Sequence, residues 1–89
     1  MNWINCPVDV ISVCSAGGQI QPLRLRVEDE NHQLLRIDIT EIVSQKSIQY
    51  VGIEAQVFVC KAEVNGQQWM LELKYTIRSH SWCIMRRVY

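Results

Sequence analysis

A chain of 89 residues is long enough for one domain and too short for two, and at 48% hydrophobic content it can fill a core without disulfide staples. Nine basic and nine acidic side chains cancel, which speaks against a dedicated duplex-DNA binder with its large basic excess. No run approaches the roughly 18 apolar residues of a membrane-spanning helix, and the opening MNWINCPVDVISVC has no basic leader. The reading is therefore a cytoplasmic protein with no membrane role.

Val8 to Cys14 reads as a first strand, and Ser15-Ala16-Gly17-Gly18 as a flexible turn. In Gln21 to Val27, residues Leu23, Leu25 and Val27 fall on one face and Arg24 and Arg26 on the other, the period of a half-buried strand. Pro22 suits a strand start. Glu28 to His32 is a polar turn. Its three consecutive acids lack the alternation and the glycine of a calcium loop, so a solvated turn is expected.

Leu34 to Val43 returns as a strand with Leu35, Ile37 and Ile39 inward, making a hairpin around the acidic turn. Ser44-Gln45-Lys46-Ser47 is expected to break this strand. Ile48 to Glu54 is less regular, with Gly52 marking a bend or bulge.

The most legible segment is Val57 to Tyr75, where two β-prone runs flank Asn65-Gly66. Asn-Gly is the strongest short-range signal for a type I′ hairpin, and it fixes the register. Counting outward pairs Ala62 with Trp69, Cys60 with Leu71, Phe58 with Leu73 and Gln56 with Tyr75 on an apolar face. The mixed face pairs Glu63 with Gln68, Lys61 with Met70, Val59 with Glu72 and Val57 with Lys74. A slip of one residue would exchange the two faces.

Residues 76–81 are short and polar and fit at most one helical turn. Trp82 to Tyr89 is a last β-prone run, with Trp82, Ile84 and Val88 on one face. The expected fold is thus all-β: one domain over residues 1–89, a small antiparallel and strongly bent barrel of five or six strands. SH3-like order fits better than an OB-like barrel, which needs a longer helix.

The pieces Pro22-Leu23-Arg24-Leu25-Arg26-Val27-Glu28-Asp29 and Gly52-Ile53-Glu54-Ala55, with a hairpin followed by a Trp-led last strand, resemble a group of small uncharacterised bacterial β proteins. The likeness covers most of the chain from residue 20 onward. It implies a small cytoplasmic barrel in a bacterium and brings no activity or catalytic residue with it.

Chemistry-bearing residues are sparse. Cys6, Cys14, Cys60 and Cys83 form no CxxC pair and read as reduced thiols acting as small hydrophobes. His80-x-x-Cys83 is too isolated for a zinc site, whose ligands come in close pairs. Neither His32 nor His80 sits in a catalytic motif, so no enzyme activity, metal or cofactor is expected.

Two binding classes remain. Lys74, Arg78, Arg86 and Arg87 follow the last acid, Glu72, and interleave with Tyr75, Trp82 and Tyr89. Cations beside stackable rings are what single-strand nucleic-acid binders use on small barrels. The other class is protein contact. Val57, Val59 and Met70 lie on a hairpin face expected to be wet, so a protein partner or a homodimer is the leading expectation, as an interaction or structural module.

Overall fold

Six antiparallel strands follow one another around a closed barrel in the computed structural model, which describes residues 3–89. They are β1 (Cys6–Cys14), β2 (Ile20–Glu28), β3 (Leu34–Tyr50), β4 (Ile53–Val64), β5 (Gln67–Thr76) and β6 (Ser81–Arg87). Closure comes from β1 pairing with β6 through Cys6–Ile84, Pro7–Cys83 and Val8–Trp82. No helix forms among the described residues, so none is long and apolar enough to cross a membrane.

The β4–β5 hairpin has the register read from its turn, with all eight pairs from Gln56–Tyr75 to Glu63–Gln68 in place. Asn65 (φ 50°) and Gly66 (φ 78°) both occupy the left-handed region that a type I′ turn requires. Phe58, Cys60, Leu71 and Leu73 are fully buried on the inner face. Leu25, Val27, Ile37, Trp82 and Ile84 from the remaining strands complete the core. Trp69 is only half-buried, because it lies at the barrel's end against Trp3. Trp3 precedes β1 and is itself buried, and the nearby Asn5 N–H donates to the Met85 carbonyl at 3.2 Å.

Bulges redirect several side chains that simple alternation would place differently. The β1–β2 register shifts at Ile11/Ser12, where Arg24 faces Ile11 and Pro22 faces Ser12, leaving Leu23 without a partner. Leu23 is therefore 49% exposed, and Pro22 is buried in place of the expected Leu23. A second shift at Glu72/Leu73 skips Met85.

One expectation about the middle of the chain is overturned and a second is narrowed. Ser44 to Ser47 does not break the strand; β3 runs through it for 17 residues. Bulges at Ile39/Glu41 and Ile42/Ser44 bend β3, and its ladder to β4 then resumes from Ser44–Val59 to Tyr50–Ile53. Of the bend or bulge expected at Gly52, the structure has the bend: Val51 (φ 52°) and Gly52 (φ 80°) form the tight turn of a β3–β4 hairpin. Residues 77–80 form a turn rather than a helix, with the His80 N–H donating to the Ile77 carbonyl at 3.3 Å.

Candidate interaction edge

The two hairpins on either side of β3 differ in reach, and this leaves part of β3 open. β2 pairs with β3 only from Glu28–Leu34 to Arg24–Asp38. From Ile39 to Tyr50, β3 has β4 as its sole neighbour among the described residues. Such an edge presents unpaired backbone N–H and C=O groups to solvent and is a template for another strand. Proteins blunt these edges with bulges, prolines and charges. The two bulges protect Ile39 to Val43, but Ser44 to Ile53 contains no proline and a single charge, Lys46.

The ribbon ends in an apolar tip. Tyr50 is 78% exposed and Val51 82%, and Ile48, Ile53 and Ile77 are also exposed. Val51 is β-branched and sits in the left-handed region, where such residues are genuine outliers.

Lys46, Ile48 and Tyr50 oppose Val57, Ala55 and Ile53 and share a face with them. The row continues through Val57–Lys74 and Lys74–Cys83. Val57, expected on a wet surface, is only 6% exposed. It is the small residue on an inner strand between two lysines, whose long aliphatic stems cover apolar neighbours. Val59 and Met70 are half-buried. Exposed apolar side chains gather instead at the β3–β4 tip, in the stretch Ile48 to Glu54 expected to be less regular, while others such as Ile11, Leu23 and Leu34 are spread over the remaining strands. The signal that could have found the tip was the absence of charge from Ser47 to Ile53.

The four basic candidates do not converge. Arg86 Nε lies 3.5 Å from Glu72 Oε1. The Arg87 guanidinium sits 3.8 Å above the Trp69 ring. Lys74 opposes Cys83 across the β5–β6 ladder, and Arg78 lies in the turn beyond β5. Tyr75 and Trp82 are buried with ring centroids 4.8 Å apart, so their faces line the core, whereas Tyr89 is exposed. Arg24 and Arg26 lie on β2 and are paired elsewhere. Arg24 Nε donates to Asp38 Oδ1 at 2.8 Å, and Arg26 Nη2 to Asp9 Oδ2 at 3.0 Å. The Arg24 bond, helped by Arg36 at 3.2 Å, holds the Asp38 carboxyl below its usual pKa.

His80 and Cys83 take separate partners. His80 Nδ1 hydrogen-bonds the Tyr75 hydroxyl at 2.9 Å, and Cys83 Sγ lies 3.8 Å from Met85 Sδ. All four cysteines are free thiols. Burial pushes the Cys60 thiol up to about 12 and raises Cys83 as well, which makes both poor nucleophiles. In the acidic turn, Asp29 Oδ1 accepts from the Asn31 and Gln33 backbone N–H groups at 2.8 and 2.9 Å, closing the turn. No group of three or more His, Cys, Asp or Glu side chains is placed to hold a metal ion among the described residues.

A scan of the chain against protein-family models finds no match, and searches of curated proteins and of solved structures find none either.

Proposed function

We propose that this chain is a non-enzymatic protein-interaction module that receives a partner strand along the open edge of β3. The observation that carries this reading is the edge itself: regular, nearly uncharged and proline-free from Ser44 to Tyr50, ending in an exposed apolar tip. Strand addition gains affinity from main-chain hydrogen bonds and specificity from alternate side chains. Ile48 and Tyr50 on one face of the edge supply such side chains. The proposal keeps the SH3-like assignment, since a turn at residues 77–80 and no helix precedes the last strand. It also keeps the bacterial, cytoplasmic setting implied by the resemblance.

The single-strand nucleic-acid alternative has less support. Arg86 is paired with Glu72, Arg87 covers Trp69, and two of the three rings are buried.

The test is a photo-reactive amino acid placed in living cells at Gln49, on the edge, and at Arg26, on the distant β1–β2–β3 face as a control. The proposal expects a discrete covalent adduct from position 49 and none from position 26. Equal labelling from both positions, or none from position 49, sinks it.

A further inference from the structure

We infer that the strand received by this edge is β3 of a second copy of this chain, in an antiparallel two-fold pairing centred on Ser47. The inference rests on the interaction-edge reading above and adds the identity and register of the partner.

The chemistry of the edge favours its own copy. In an antiparallel ladder, facing residues either both exchange hydrogen bonds or both do not. Two identical edges therefore meet only with residues of equal parity opposed, and the two-fold axis passes through one residue. Centring on Lys46 would set ammonium against ammonium, and directly opposed like charges are destabilising. Centring on Ile48 or Gln49 would shorten the overlap, because the regular ladder ends at Tyr50. Centring on Ser47 uses the whole stretch from Ser44 to Tyr50.

That register sets compatible groups across the interface. Ser47 opposes its own copy, Gln45 opposes Gln49 of the second copy, and the two amides can donate and accept mutually. Lys46 opposes Ile48 of the second copy, so its aliphatic stem lies along an apolar side chain while its ammonium stays in water. Ser44 opposes Tyr50, a residue that is 78% exposed in the single chain. With Lys46 the only charge between Ser44 and Ile53, no acidic partner is called for and no direct like-charge pair forms. The result is one continuous sheet in which β4 and β3 of one copy run into β3 and β4 of the other. A two-fold interface of this kind is closed and stops at the dimer.

The experiment is site-directed disulfide trapping in the full chain. The background carries Cys14→Ser, which removes the exposed thiol. Residues facing each other across an antiparallel pair have Cα atoms about 4.5–5.5 Å apart, within the roughly 4.4–6.8 Å a disulfide spans. Ser47→Cys should therefore give a covalent dimer under mild oxidation. Gln45→Cys alone and Gln49→Cys alone should not, and a mixture of these two variants should. Light scattering of the unmodified chain should give twice the monomer mass. A monomer mass with no Ser47→Cys link overturns the inference, as does a dimer that links at other positions only. If the adduct trapped from position 49 is a different protein, the dimer falls and the edge reading survives. If no adduct forms there, both fall.

Discussion

Trp3 and Trp69 meet with ring centroids 5.1 Å apart and planes tilted by 50°, at the end of the barrel where β5 begins. The partner on one side comes from ahead of the first strand, and Arg87 from the last strand lies over the same Trp69 ring. The segment ahead of β1 and the end of β6 are thus tied to one indole.

Trp3 is 6% exposed and belongs to the core cluster. Trp3→Ala should destabilise the fold by about 3–5 kcal/mol. Arg87→Ala removes an exposed cation–π contact and should cost about 0.5–1 kcal/mol. Urea unfolding of the two variants measures both. Equal, small losses would show that Trp3 does not seal the barrel.

The hairpin register makes a contrast between adjacent residues. Leu71 and Leu73 are fully buried and Glu72 lies between them on the outer face, paired with Arg86. Leu71→Ala or Leu73→Ala should cost about 2–5 kcal/mol. Glu72 is half-buried and its partner Arg86 is exposed, so Glu72→Ala should cost only about 1 kcal/mol, as for other surface ion pairs. The reverse order in a denaturation series would mean a register shifted by one residue.

Val51 is the position where sequence and backbone disagree most. A β-branched residue in the left-handed region costs roughly 1–2 kcal/mol relative to one that tolerates it. The side chain is 82% exposed, so little packing is lost on replacement. Val51→Asn, giving an Asn-Gly turn like that at Asn65-Gly66, should raise stability by about 1 kcal/mol, or roughly 4–8 °C in Tm for a domain of this size. An unchanged or lower Tm in a thermal scan would assign a compensating contact to Val51.

The Cys60 thiol sets an alkaline limit. Its folded-state pKa is pushed up to about 12 from a reference of 9.0 by burial alone. The folded protein therefore holds the proton more tightly than the unfolded chain. The resulting stability is complete below about pH 9 and is lost progressively as pH rises toward 12. Urea midpoints should fall between pH 8 and pH 11, and fall less in Cys60→Ala compared at the same two pH values. At pH 8 a thiol reagent should label Cys14 well before Cys60. Simultaneous labelling would mean that the barrel opens readily.

What the chain dictates locally, it dictates through turn chemistry and alternation. Asn65-Gly66 admits one tight turn, and the two flanking runs alternate without interruption, so every pair from Gln56–Tyr75 to Glu63–Gln68 follows from counting. Where alternation is interrupted, counting fails. The extra residues at Leu23 and Met85 are bulges, and a bulge is a compromise between strands forced to bend around a closed barrel, which no single strand encodes. Gly52 signals a bend, but a two-residue hairpin turn at Val51-Gly52 does not follow from the sequence, because valine is a poor residue for the left-handed position it occupies. The burial of Trp3 needed an end of the barrel to exist before there was anything to seal. The open edge of β3 is likewise a tertiary property. It exists because β2 leaves β3 at Asp38 while β4 continues beside it to Tyr50, and the relative reach of two hairpins is decided only when the sheet closes.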